Sequence, residues 1–236
     1  MIMLSGDFHG NCLGELSAIN HSNVKEKCPT PDLIKWHIIL GDCGFMFGGR
    51  SQEVDKTDKY LQTWFNDRKY TTLCVFGNHE NYEKLLSLPK VDIGIGEDVY
   101  KVTDKIYYLQ RGKVYTIEDK KILVLGGGDS IDKDQRIPGL SWWKEEQWSY
   151  KETEDFFKYI ENITEVDYVV SHTATDEFLN EIMKQFSHFH KLKDDTVTIN
   201  NEVNKKIKFK HWYCGHYHIT LENEKYTCLY KDLRFI

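Results

Sequence analysis

Trp36-His37-Ile38-Ile39-Leu40-Gly41-Asp42-Cys43-Gly44 carries a mostly apolar run straight into an aspartate between two glycines. A run this short, bounded by glycine, predicts a buried strand whose carboxyl end delivers Asp42. The arrangement recurs along the chain. Residues 2–5 lead into Gly6-Asp7-Phe8-His9-Gly10-Asn11, 71–76 into Gly77-Asn78-His79-Glu80, 167–170 into Ser171-His172-Thr173, and 209–214 into Gly215-His216-Tyr217-His218. Each segment alone reads as a turn with ordinary polar residues. As a set they place carboxylate, imidazole and carboxamide groups just beyond strand ends, where ligands gather in sheets flanked by helices.

Between these strands the periodicity changes. A helix is predicted from about Leu13, with a turn at Cys28-Pro29-Thr30-Pro31. Residues 57–66 carry Tyr60, Leu61, Trp64 and Phe65 at helical spacing, and 82–88 read as a short helix stopped by Pro89. Residues 144–162 read as a polar-faced helix and 175–186 as another. Strand-like runs at 106–109, 113–117 and 122–125 follow one another closely, the last opening into Gly126-Gly127-Gly128-Asp129-Ser130. Residues 45–55 and 131–143 read as loops, 187–206 have no assignable period, and the tail alternates as a closing hairpin. Early strand–helix alternation implies parallel pairing, and the later strand succession implies an antiparallel portion. A mixed α/β (α+β) architecture of two packed sheets flanked by helices accommodates both. With no repeat, low-complexity tract or linker, residues 1–236 read as one domain.

The 236 residues suffice for a well-buried core, and no apolar run reaches membrane-span length. A net charge of −6 argues against a general electrostatic grip on nucleic acid, leaving nucleic acid only as a substrate. Cys12, Cys28, Cys43, Cys74, Cys214 and Cys228 form no CxxC pair, and Cys74 and Cys214 sit in apolar runs as small hydrophobes. The first residues lack the basic flank and apolar length of a signal peptide. A reducing, cytoplasmic setting without membrane association is expected.

Asp7 and His9 are separated by one residue. A strand continuing through them points both side chains to one face, and the same holds for His216 and His218. Oxygen and nitrogen donors without clustered cysteines suit manganese, iron, zinc, nickel or cobalt rather than a structural zinc. A carboxylate between two such ions bridges them, and Asp42 is best placed to do so. Two ions about 3.5–4 Å apart clamp an in-line displacement at phosphorus and acidify the attacking water, so no covalent nucleophile is needed.

The ordered set GDFHGN, GDCG, GNHE, SHT and GHYH, spanning residues 6 to 218, resembles the calcineurin-like metallophosphoesterase superfamily. Gly-Gly-Gly-Asp-Ser followed by Ser-Trp-Trp resembles its bacterial and phage members. The resemblance implies a four-layer αββα sandwich of two mixed sheets. It implies that Asp7, His9, Asp42 and His218 hold one divalent ion, and Asp42, Asn78, His172 and His216 the other. His79 would protonate or stabilise the leaving oxygen of a phosphate mono- or diester, and Asn78 would also face the substrate.

One departure limits the resemblance. The branch resembling serine/threonine protein phosphatases reads GDxxDRG at the second motif, whereas here Phe45 and Met46 stand at the second aspartate and the arginine. Arg50 and Arg136 are candidates for the missing positive charge, since a guanidinium grips phosphate as a fork. A protein phosphatase and a non-catalytic metal-binding scaffold are the alternative readings. Gly126-Gly127-Gly128 reads as a tight turn before a phosphate cradle, and Trp142 and Trp143 as core before a stacking wall. His188 and His190 read as a solvated pair, and His21, His37 and His211 as structural. Lys184, Lys191, Lys193, Lys205, Lys206, Lys208 and Lys210 read as a solvated face.

Overall fold

A computed structural model describes residues 1–10, 19–47, 52–189 and 194–236, with residues 21, 52–55 and 57 described by backbone alone. The first sheet contains β1 (Ile2–Ser5), β2 (Trp36–Ile39), β3 (Thr71–Cys74), β4 (Lys90–Val91), β5 (Val99–Lys101), β6 (Ile106–Leu109) and the last strand, β13 (Leu233–Phe235). Its order is β13-β1-β2-β3-β6-β5-β4, parallel from β1 to β6 and antiparallel at both margins. The second contains β7 (Lys113–Ile117), β8 (Lys120–Leu125), β9 (Tyr168–Ser171), β10 (His211–Cys214), β11 (Leu221–Glu222) and β12 (Tyr226–Cys228). Here the order is β11-β12-β10-β9-β8-β7, with a parallel centre between antiparallel edges.

Period-two alternation divides each strand between two cores. Ile2, Leu4, Ile38 and Leu73 meet Tyr115, Ile122, Val124 and Val170 between the sheets. The intervening Met3, Ile39 and Cys74 pack outward with α1 (His21–Lys27), α2 (Gln52–Asn66) and α3 (Tyr82–Ser87) through Val24, Leu61, Phe65, Tyr82 and Leu85. On the far side, Leu123, Leu125, Val169 and Trp212 lie under α4 (Tyr150–Tyr159), α5 (Asp176–Gln185) and α6 (Asp195–Lys206), which contribute Phe156, Phe178, Ile182, Ile199 and Val203. The result is four layers, αββα. Central strands buried on both faces need apolar residues at successive positions, which is why Ile2-Met3-Leu4 and Ile38-Ile39 do not alternate with polar ones. Each fully buried aliphatic side chain of this kind contributes about 1.5–3 kcal/mol.

The structure redraws several boundaries. Helix α2 begins at Gln52, inside the stretch read as a 45–55 loop. The helix expected over 144–162 is a 3-10 turn at Lys144–Glu146 followed by α4, whose start is set by the Ser149–Glu152 capping box. Within 187–206, Asp194 caps α6 by accepting from the Thr196 amide. The tail divides: β11 and β12 form a hairpin in the second sheet, while β13 crosses to pair with β1. The expected start of a helix at Leu13 lies outside the described residues. Among the described residues no helix is long and apolar enough to cross a membrane. Cys28, Cys43, Cys74, Cys214 and Cys228 are buried free thiols, and Cys12 lies outside the described residues.

Candidate functional site

The carboxyl ends of β1, β2, β3, β9 and β10 bring the five polar segments together, and backbone hydrogen bonds fasten each to another. The Phe8 and His9 amides donate to the Asp42 carbonyl at 3.1 and 2.7 Å, and Gly215 donates to the His172 carbonyl at 3.0 Å. Asp42 Oδ1 accepts the His79 amide at 2.8 Å, and the Asp7 carboxylate accepts the His216 amide at 3.0 Å. These approaches leave no room for a side chain. A Cβ at Gly77 would collide with the Asp42 carboxylate, and one at Gly215 with that of Asp7.

Turns, not continuing strands, aim the side chains. Strand β1 ends at Ser5 and β10 at Cys214, short of the histidines they deliver. His9, Asp42, His216 and His218 have φ of +48°, +48°, +70° and +50°, four of the seven positive-φ residues other than glycine among the described residues. Such conformations are costly outside glycine and cluster at functional sites, although Asp and His tolerate them better than most residues. The one-face reading is therefore corrected in its reason for Asp7 and His9, and in its result for His216 and His218, which face different donor groups.

Two groups of donors result. In one, His218 Nε2 lies 3.2 Å from Asp7 Oδ2 and 2.7 Å from His9 Nε2. In the other, Asn78 Oδ1 lies 2.9 Å from His172 Nε2 and 3.1 Å from His216 Nδ1. Asp42 Oδ2 sits between them, 3.7 Å from His9 Nε2 and 3.4 Å from His172 Nε2. His172 Nδ1 donates to the Leu40 carbonyl at 2.8 Å, so the neutral ring turns an Nε2 lone pair toward a carboxylate, a carboxamide oxygen and a second imidazole. Acceptors facing acceptors in a buried place call for positive charge. Burial alone would lower the His172 pKa, but Asp42 and Asp7 push it up to about 10. The Asp42 carboxyl, which burial would raise, is held below its usual range by His172, His79 and His9.

This donor set suits a borderline divalent ion. A family model described as calcineurin-like phosphoesterase matches residues 1–220. The chain belongs to the calcineurin-like phosphoesterase family. No curated protein matches it. Among solved structures it is similar to a Staphylococcus aureus protein provisionally described as a 5′-nucleotidase, crystallised with alpha-ketoglutarate, at 15% identity and a TM-score of 0.45. That likeness covers 97% of this chain and 47% of the other, so the phosphoesterase chain spans about half the length of that structure. The family implies divalent metal ions, and the two donor groups fit them.

Beside the donors, His9, Gly44, Phe47 and His79 line a cavity of about 210 Å³. Arg136 lies against His79: Nη2 is 2.8 and 2.9 Å from the two ring nitrogens of His79, while Nε pairs with Asp132 at 2.8 Å. Burial lowers the His79 pKa, and Arg136 opposes the upward pull of Asp42. Arg50 lies outside the described residues. Phe45 is core, edge-on to Phe65 at 4.8 Å, and Met46 packs against the same cluster, with Gln62 Nε2 3.7 Å from its sulfur. Neither presents charge to the site.

Two buried acids escaped the sequence reading. Glu80 accepts from the Cys43 amide at 2.9 Å and from Tyr108 Oη at 3.0 Å, tying the second and third segments together. Burial, with Asp42 nearby, pushes its pKa up to about 8. Glu146 lies in a polar run that carries no sign of burial, yet it is fully buried and bonded to Ser130 and Trp142. Trp142 thus fastens an acid, while Trp143 joins the core. The Gly127 and Gly128 amides donate to the Phe76 and Glu146 carbonyls, which consumes the donors a phosphate cradle needs. His37 is buried against Ser5 Oγ at 2.7 Å, its pKa driven down to about 3 by burial, and His211 bonds Thr227 at 2.8 Å. His190, Lys191 and Lys193 lie outside the described residues.

Proposed function

We propose that this chain is a cytoplasmic, single-domain phosphoesterase that hydrolyses phosphate mono- or diesters at a dinuclear centre. Asp7, His9, Asp42 and His218 would hold one ion, and Asp42, Asn78, His172 and His216 the other. The observation that carries this reading is the position of Asp42 Oδ2 between His9 of one group and His172 of the other. When bound, the ions would acidify a water and neutralise charge on the phosphoryl oxygens. The chain's own groups do the rest. His79 borders the cavity as a neutral imidazole. Arg136 Nη2 lies within 2.9 Å of both ring nitrogens, and a neutral ring keeps one N–H, which would be donated to the departing oxygen. Arg136, held against His79, would offer charge-assisted bonds to a phosphate. The buried Phe45 and the Met46 beside it favour a small-molecule or nucleic-acid-derived ester over a phosphoprotein.

Metal-free protein reconstituted singly with manganese, iron, zinc, nickel or cobalt should hydrolyse aryl phosphate monoesters or diesters only in the ion-loaded state. Ion binding without turnover across a broad ester panel would revive the scaffold reading instead. Comparing rates on paired monoesters and diesters assigns the substrate class.

Arg136→Ala should remove a contact worth about 1.5–3 kcal/mol. That corresponds to a rise in KM of about 10- to 150-fold. Initial-rate kinetics check this, and an unchanged KM would remove Arg136 from the substrate site.

A further inference from the structure

The carboxamide of Asn78 is useful to an ion only through its oxygen, yet oxygen and NH₂ differ little in shape and could exchange places by a flip. Nδ2 donates to Ser130 Oγ at 3.0 Å, and Ser130 Oγ donates to Glu146 Oε2 at 2.7 Å. Glu146 Oε1 accepts two further donors of fixed direction, the Ser130 amide and Trp142 Nε1, each at 2.8 Å. All three residues are buried, with Asn78 4%, Ser130 1% and Glu146 0% exposed. Residue 146 is itself fastened, its carbonyl accepting from the Gly128 amide and from Arg111 Nη1.

We infer that Glu146 is a positioning residue that, through Ser130, turns the Asn78 oxygen toward the site. A carboxylate only accepts. With the single Ser130 hydroxyl proton committed to Glu146, that oxygen can only accept from Asn78, so the NH₂ faces Ser130 and Oδ1 faces His172 and His216. The inference rests on the dinuclear reading above, and it gives a function to two segments that the sequence left without one.

Glu146→Gln tests it because shape is preserved while polarity is not. The glutamine oxygen stays with the two fixed donors, which leaves its NH₂ facing Ser130 Oγ. The hydroxyl proton, no longer accepted at position 146, turns toward position 78, where the amide flips to accept it and presents NH₂ to the ion. Outer partners of metal ligands typically matter by about 10–100-fold in affinity. Calorimetric titration of the full chain with manganese should show two ions in the wild type. In Glu146→Gln one ion should be held unchanged and the other about 10–100-fold more weakly, with the folding transition preserved. Asn78→Asp combined with Glu146→Gln should recover most of the loss, because a carboxylate presents oxygen on both branches and accepts the reversed hydroxyl.

Two manganese ions held equally well by wild type and Glu146→Gln would overturn this inference alone. A weakened variant without recovery in the double substitution would reduce Glu146 to packing and overturn it too. A wild type that does not bind two ions would overturn the dinuclear reading and the inference with it. Should Glu146→Gln fail to fold, Ser130→Ala in the same titration decides: one weakened ion supports the inference, and two unchanged ions overturn it.

Discussion

Asp42→Asn should lower turnover of an aryl phosphate about 10³-fold with the fold intact. Metal ions stabilise transition-state charge by several kcal/mol, and each 1.4 kcal/mol is about tenfold in rate. The proposed bridge depends on a full negative charge shared between two ions, and an amide offers one neutral oxygen. The fold is spared because Asn can keep the Oδ1 bond from the His79 amide, and the Asp42 carbonyl still accepts from Phe8 and His9. Metal content measured beside activity completes the test: the variant should lose ion occupancy and rate together while its circular dichroism is unchanged. Full activity in a folded Asp42→Asn would remove Asp42 from the centre.

The parallel strands were legible because a strand buried on both faces has nowhere to place a polar residue. Ile2-Met3-Leu4 and Ile38-Ile39 declare it, and each hands over to a polar segment at its carboxyl end. The grouping of ligands was not legible from spacing. His216 and His218 share a period-two separation, yet both adopt positive φ and face different groups, a turn geometry that sequence alternation cannot encode. Short edges also escaped: Lys90–Val91 and Val99–Lys101 are two and three residues long, below the length at which a pattern emerges. Helix α6 hid for another reason. Its buried residues include Thr196 and Asn200, the latter bonded to the Thr173 carbonyl at 3.0 Å, so its inner face is partly polar. Glu146 is the sharpest case. Lys144-Glu145-Glu146 looks solvated, and only the tertiary placement of Ser130 and Trp142 shows that the third residue points inward.

His79→Asn should lower kcat about 10²–10⁴-fold, the usual range for a positioned general acid or base, while both ions remain bound. Two separate attachments make this split. The His79 backbone amide seats Asp42 and is untouched by the substitution, whereas the ring lies beside the donors, 5.1 Å centroid to centroid from His9, at the wall of the cavity. Arg136 holds that ring through its Nη2, and its charge together with burial keeps the imidazole neutral. An asparagine is shorter and cannot relay a proton, so the departing oxygen loses its partner. The size of the loss should depend on what departs. An aryl leaving group of low pKa leaves without assistance, and its ester should be nearly indifferent to the substitution. An alkyl leaving group needs the N–H, so its ester should suffer the full effect. A series of esters spanning leaving-group pKa, run on wild type and variant with metal content measured in parallel, checks both halves. A deficit that is constant across the series, or that follows lost metal, would assign His79 to the ion shell and not to the leaving oxygen.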